Sequence, residues 1–160
     1  MQYLKTHYGR ASKIIQDDNI NMPHPANAGL SRLTSGDPVA FQLIDDVSNS
    51  FNINMIGNTV ICDGELAVVT GFISATTLVI SKDIATTGNL PYTIYAPTPN
   101  EGFSIYLSAG SAGNLQIMTV GGDVLTFSAV GDANASMILT VQALRVLEAE
   151  TTLSNLIALW

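Results

Sequence analysis

Histidine, cysteine and paired aspartates are the residue types in this chain whose chemistry could support catalysis or metal binding. The two histidines, His7 and His24, lack a cysteine or carboxylate at metal-ligand spacing. Cys62 is the one cysteine and lies in an apolar stretch without a histidine partner pattern, which favours a buried, inert thiol over a nucleophile. We therefore expect no catalytic residue, no metal site and no cofactor, and we predict that the protein is not an enzyme.

Two pairs of adjacent aspartates, Asp17-Asp18 and Asp45-Asp46, could in principle supply carboxylates for acid–base chemistry. Neighbouring side chains on a strand point to opposite faces, so neither pair forms a catalytic dyad. The first pair, followed by Asn19, weakly resembles the start of a calcium loop, but the glycine and distal glutamate of that motif are missing. We interpret both pairs as solvated acids in turns.

The composition favours a role in protein assembly over a role in catalysis. Only 12% of the 160 residues are charged and 47% are hydrophobic, whereas about 25% charged residues is usual for soluble domains. Such a chain covers itself poorly with solvated groups, which favours burial of some surface against copies of itself or another protein. A compact β domain with a surface of Thr, Ser and Asn is the alternative. No run of about 18 apolar residues occurs, so we expect no membrane partner.

Charge is unevenly distributed along the chain. Four of the six basic residues lie before position 33, where only two aspartates accompany them, and the remaining two basic residues are set against eleven acidic ones. This asymmetry favours head-to-tail contact between copies or docking on an acidic scaffold. Nucleic acid is not an expected partner, because the acidic body would repel phosphates. The candidate contact residues are Lys5, Arg10, Lys13 and Arg32.

The spacing of apolar residues predicts an all-β fold of small antiparallel sandwich or barrel units with an N-terminal arm. Residues 3–17 fit either a helix or an extended arm, and residues 19–38 are predicted to be a loop because prolines 23 and 25 hold the preceding residues extended. We divide the chain into an arm (1–38), a first β unit (39–96), a linker (97–102) and a second β unit (103–160). The predicted strands are 41–44, 59–62, 66–72, 77–81, 92–95, 103–108, 114–120, 124–129, 137–147 and 156–160.

Three glycine-containing segments are predicted to connect these strands. Asp63-Gly64 is typical of a two-residue type I′ hairpin, in which both residues have positive φ. Gly121-Gly122-Asp123 is predicted to close a second hairpin, and residues 110–113 are interpreted as a hairpin loop. The chain ends on an apolar run, and termini fray unless they are held. Ile157, Leu159 and Trp160 are therefore candidates for packing in the β core or between protomers.

Two stretches resemble structural proteins of tailed-phage virions. Residues 43–95 resemble a small β module with an apolar pair before Asp, a Gly-Asp-x-Val strand, a Thr-rich hairpin and a Tyr-x-Ile-Tyr strand. The matching segments are Leu43-Ile44-Asp45-Asp46, Gly57-Asn58-Thr59-Val60, residues 65–70, residues 74–84 and Tyr92-Thr93-Ile94-Tyr95. Asn58 stands where the family pattern usually has aspartate.

The C-terminal stretch resembles small decoration and head-spike-base proteins of phages and gene transfer agents. The chain departs from that pattern at residues 138–141, which lack the usual Leu-Pro-Val proline, and at Glu148-Ala149-Glu150, where glycine is common. The matching segments are Leu107 and residues 113–117, 119–127, 139–142, 145–146 and 151–160.

The resemblance implies a non-enzymatic subunit that decorates or cements the outer surface of a phage head, or forms the base of a head spike. Its implied partners are the major capsid protein, copies of itself as a trimer or vertex pentamer, and a spike or fibre protein. Such a protein would be synthesised in the host cytoplasm, and the arm would anchor it to the shell. The alternative is a tail-associated or host-glycan-binding β module, in which Tyr92, Tyr95, Phe103, Tyr106 or Trp160 stacks on sugar.

Overall fold

A computed structural model describes residues 9–47, 49–97, 101–110, 112–131 and 134–160. The described residues form antiparallel strands and two single-turn 3-10 helices, Pro25–Asn27 and Ile53–Met55, which confirms the predicted all-β fold. The strands are β1 (Ala11–Lys13), β2 (Ala28–Leu33), β3 (Gln42–Ile44), β4 (Thr59–Cys62), β5 (Glu65–Ser74), β6 (Thr77–Ile80), β7 (Pro91–Tyr95), β8 (Phe103–Leu107), β9 (Gly113–Thr119), β10 (Val124–Val130), β11 (Met137–Val146) and β12 (Ile157–Leu159).

The chain divides into two compact units, each with one six-stranded sheet. Residues 1–25 and 99–160 form the first, here called the discontinuous unit, and residues 26–98 form the second, the inserted unit. This division differs from the predicted arm, because the described part of the arm is shared between the two sheets: β1 pairs with β12 and β2 pairs with β7. Residues 98–100 of the predicted linker lie outside the described residues.

The sheet of the discontinuous unit has the strand order β1-β12-β8-β11-β9-β10. Its core is built by alternate residues of β8 and β9, so that one face of each strand is fully buried. The N-terminal segment adds three further buried side chains, Ile14, Ile20 and Met22. The largest buried side chains of the central strands are Phe103, Ile105, Leu107, Leu115 and Ile117.

Residues 9–17 contain the strand β1 and no helix, so the helical alternative for this described part of the arm is wrong. The backbone of Trp160 donates to the Arg10 carbonyl at 3.0 Å, and the Ile14 N–H donates to the Leu156 carbonyl at 2.9 Å. Inter-strand hydrogen bonds of this kind satisfy backbone groups that a helix would pair internally, and Gly9 adds a residue with poor helix propensity. Tertiary pairing therefore overrides the weak helical periodicity.

The sheet of the inserted unit has the order β2-β7-β4-β5-β6-β3. The ten-residue strand β5 pairs with β4 along its first half and with β6 along its second, with register shifts between Val69 and Gly71. Bulges of this kind bend a strand and increase its twist. The sheet ends approach each other, because Ser35, just after β2, donates its N–H to the Ile44 carbonyl of β3 at 2.8 Å. The enclosed core includes Leu43, Phe51, Val60, Leu78, Ile80, Tyr92 and Ile94.

Two of the three predicted connections are confirmed. Asp63 and Gly64 join β4 to β5 with φ values of 48° and 85°, as a type I′ hairpin requires. Residues 121–123 join the paired strands β9 and β10. The interpretation of residues 110–113 as a hairpin loop is wrong, because β11 lies between β8 and β9 in the sheet. Ser111 of that loop lies outside the described residues.

Candidate interaction surface

The predicted basic contact residues lie in different units. Arg10 and Lys13 are exposed at β1, the first strand of the discontinuous unit's sheet. Arg32 is exposed on β2 of the inserted unit. Lys5 lies outside the described residues. The structure therefore brings Arg10 and Lys13 together at one sheet edge and places Arg32 on another sheet.

The predicted packing residues at the C-terminus lie on an internal strand. Ile157 and Leu159 are half-buried on β12, which is hydrogen-bonded on one side to β1 and on the other to β8. The Trp160 ring lies 5.3 Å from the Phe103 ring and 5.4 Å from the His24 imidazole, centroid to centroid. The apolar C-terminus is thus held within the discontinuous unit.

The first aspartate of each pair is buried, so the interpretation of both pairs as solvated acids is wrong for Asp17 and Asp45. The Asp17 carboxylate accepts the N–H groups of Asn19 and Ile20, each at 2.8 Å. These bonds satisfy backbone groups in the turn that follows. Asp18 remains exposed and accepts the Glu148 N–H at 2.8 Å, which ties the N-terminal segment to the loop after β11.

Arg145 strengthens the same attachment. Its guanidinium donates from Nη1 to the Asn19 carbonyl at 2.7 Å and to the Asn21 amide oxygen at 3.3 Å. The Nε atom is buried without a hydrogen-bond partner. Arg145 therefore positions the segment that precedes the inserted unit, a structural role for one of the two basic residues that lie beyond position 33.

Asp45 accepts a hydrogen bond from the Tyr92 hydroxyl at 2.6 Å, and both side chains are buried in the inserted unit. The other carboxylate oxygen accepts the Val47 N–H at 3.1 Å. Burial, followed by the hydrogen bond to Asp45, raises the pKa of Tyr92 well above its usual value. This pair is a buried polar link between the end of β3 and β7.

Cys62 is fully buried on β4, as predicted for an inert thiol. Burial, with smaller contributions from the charges of Asp63 and Glu65, raises the pKa of the Cys62 thiol to about 11. Because the thiolate is the nucleophile, a protonated thiol in the core is unreactive near neutral pH.

Across the described ranges, no three His, Cys, Asp or Glu side chains form a group that could hold a metal ion. The helices in that part of the chain are too short to cross a membrane. A shallow, open depression in the inserted unit, with Asp37, Gln42 and Thr87 on its wall, has essentially no interior volume. Small-molecule sites usually measure roughly 300–1,000 Å³, so this depression is an unconvincing ligand site.

Exposed apolar side chains are the most distinctive surface feature. In the discontinuous unit they lie on β10, at the start of β11 and in the turn after β9: Val120, Val124, Leu125, Met137 and Ile138. In the inserted unit they are Leu33, Val39, Phe41, Val47, Ile53, Ile56, Phe72 and Ile73. Single exposed apolar residues are ordinary on protein surfaces, whereas a large exposed apolar area is typical of interaction sites.

Phe41 combines exposure with an unusual backbone conformation. It has a φ of 59° and its side chain is 53% exposed. Left-handed geometry costs a side-chain-bearing residue about 1–2 kcal/mol. Hydrogen bonds hold the turn, since Phe41 donates its N–H to Asp83 at 3.3 Å and its carbonyl accepts the Ile80 N–H at 2.9 Å. A strained residue that presents an aromatic ring to solvent is a candidate contact residue.

The aromatic residues proposed for sugar stacking differ in exposure. Tyr92 and Phe103 are buried, and Tyr95, Tyr106 and Trp160 are half-buried. Tyr92 and Phe103 therefore present no open face for sugar stacking, whereas Tyr95, Tyr106 and Trp160 each keep part of their surface accessible.

The strand β10 forms one end of the sheet in the discontinuous unit. Leu125 is paired in register with Ile117 of β9, yet Leu125 is 39% exposed while Ile117 is completely buried.

Comparison of the chain with known protein families, curated proteins and solved structures gives no match.

Proposed function

We propose that this chain is a non-enzymatic structural protein of a tailed-phage virion, which decorates or cements the outer surface of the head or forms the base of a head spike. The observation that carries the proposal is the combination of a low charge content with exposed apolar side chains in both units. A small β protein with such a surface is suited to permanent contact with other proteins. The sequence resemblance to phage decoration and head-spike-base proteins supports the same role.

The proposed mechanism is additive contact with the shell. A protein that binds the assembled shell but not separated capsid subunits stabilises the shell by linkage. In the described part of the arm, Ile14, Ile20 and Met22 are buried in the protein's own core. Capsid contact is therefore proposed for exposed groups of the folded units, such as Arg32 and Phe41, rather than for an arm that lies across the shell.

The test adds the purified protein to heads of its phage that were assembled without this protein and measures binding. We expect saturable binding with a fixed number of copies per head and a higher melting temperature of the loaded shell by calorimetry. Arg32→Glu should weaken binding, whereas Lys82→Glu, an equal charge change at another exposed position of the inserted unit, should leave it unchanged. Absence of binding, or binding without saturation, would contradict the proposal. Retention of the chain on host glycans instead would favour the tail-associated alternative.

A further inference from the structure

In the sheet of the discontinuous unit, basic residues accompany one end strand and an acidic residue precedes the other. At one end, exposed Arg10 and Lys13 accompany β1, and residues 9–16 include no acidic residue. At the other end, exposed Asp123 directly precedes β10, and residues 121–131 include no basic residue. One molecule therefore carries two complementary sheet ends.

The β10 end has the features of an interface strand. Among the described residues, β9 is the one strand paired with it. Val124 is 49% exposed and Leu125 is 39% exposed. The strand has no proline and no charged residue, the devices that natural proteins use to prevent pairing at an open edge.

We propose that the β1 edge of one copy docks on the β10 edge of the next, so that their sheets join head to tail. Backbone groups of the two edge strands would pair, and the pairing register would bring Arg10 or Lys13 close to Asp123. A symmetric contact between two β10 strands would supply no basic residue to Asp123. The inference rests on the proposed function only for the purpose of the assembly, since the contact itself follows from the two edges.

A head-to-tail contact uses a different surface on each partner. Such heterologous interfaces generate a ring when the rotation between copies closes and a filament when it does not. A head-to-tail contact that closes would form a ring without a twofold axis, the arrangement of a trimer or a vertex pentamer.

Charge exchange on the full chain tests this contact. Sedimentation equilibrium over a concentration series would compare the native chain with Arg10→Glu/Lys13→Glu, with Asp123→Lys and with the combination of all three substitutions. We expect the first two variants to associate about tenfold more weakly, because attraction becomes repulsion, and the combination to recover native association. Lys82→Glu, the reversal of a single charge in the inserted unit, is the control and should leave association unchanged.

Hydrogen exchange locates the contact along the backbone. Backbone amides of residues 124–130 should be protected in the native oligomer and exchange faster when Arg10→Glu/Lys13→Glu disperses it. Three results would overturn the inference: a native chain that is monomeric at all concentrations, charge variants that associate normally, or β10 amides whose exchange is independent of association. Head binding is scored separately, so a chain that associates through these edges but ignores heads refutes only the proposed function.

Discussion

The buried hydrogen bond between Tyr92 and Asp45 is expected to stabilise the inserted unit. Removing the hydroxyl with Tyr92→Phe leaves a buried carboxyl oxygen without this donor, since the bond length is 2.6 Å and both residues are buried. Hydrogen bonds to charged groups contribute roughly 1.5–3 kcal/mol, so we expect a loss of about 2 kcal/mol. Urea unfolding followed by circular dichroism measures it. Tyr106→Phe, which removes a half-buried hydroxyl from the other unit, should cost less, and equal losses would contradict the assignment.

Cys62 gives the protein a predictable alkaline sensitivity. Its folded pKa of about 11 lies above the reference value of 9.0, so the folded state keeps a proton that the unfolded state loses. The contribution to stability is complete below pH 9 and is lost as the pH rises towards 11. At about 1.36 kcal/mol per pKa unit, the free energy of unfolding should fall by about 2–3 kcal/mol more than in Cys62→Ala over this interval.

Comparison of the native chain with Cys62→Ala is essential here, because tyrosine ionisation affects both proteins. Urea unfolding at pH 8, 9, 10 and 11 measures the difference in free energy of unfolding between the two proteins. Parallel curves for the two proteins across this range would show that the thiol titrates normally in the folded state. The native thiol should also resist iodoacetamide at pH 8 until the protein unfolds.

Alanine substitutions of three turn glycines distinguish the cost of backbone strain from the cost of steric conflict. Gly64 has a φ of 85° and open space around its Cβ position, so Gly64→Ala should cost about 1 kcal/mol from conformation alone. Gly88 lacks a positive φ, but a Cβ there would lie 2.6 Å from the Gly36 backbone, so Gly88→Ala should cost more. Gly36→Ala, in open space and without a positive φ, is the neutral control. Thermal unfolding of the three variants should reproduce this order; a destabilised control would refute it.

Periodicity and turn chemistry identified the strands that build the two cores. β4 begins and ends where the pattern predicted, because apolar alternation and the Asp63-Gly64 turn define it locally. β1 and β2 were missed since they lie in the segment interpreted as arm and loop. Most residues of β2 are exposed, so its strand conformation comes from pairing with β7 and leaves little apolar pattern in the sequence.

The interaction surface was only partly accessible to sequence reasoning. Charge asymmetry pointed to Arg10 and Lys13, but their position at a sheet edge depends on pairing between residues nearly 150 positions apart. The composition of the uncharged β10 segment alone could have shown that it is prone to pair with another strand at an open sheet edge. Exposure of Phe41 could not have been recognised in this way, because an aromatic residue beside a strand is ordinarily expected to be buried.

The whole molecule is organised as one unit inserted into another. The inserted unit is continuous in sequence and has its own core, so residues 26–98 contain all the strands of their sheet. The discontinuous unit depends on a segment far away in the sequence, with β1 paired to β12 and three apolar side chains buried. Deleting the whole predicted arm would therefore remove one strand from each sheet instead of freeing a flexible anchor.

Fragment complementation tests this organisation. Burial of Ile14, Ile20 and Met22 contributes about 1.5–3 kcal/mol each, a sum comparable to the total stability of many domains. We therefore expect residues 99–160 alone to lack a cooperative unfolding transition and to gain one when a peptide of residues 9–25 is added. Trp160 is the one tryptophan of the chain and lies beside His24, so its fluorescence reports binding of the peptide.

The matched control is the same peptide with Ile14→Asp, which keeps its length but places a charge at a buried position. It should bind at least tenfold more weakly, because burying an unpaired carboxylate costs several kcal/mol. A fragment of residues 99–160 that unfolds cooperatively without the peptide would mean that the N-terminal segment is an accessory to a complete sheet. The segment would then be free to leave the fold and act as an anchor, as first expected from its charge.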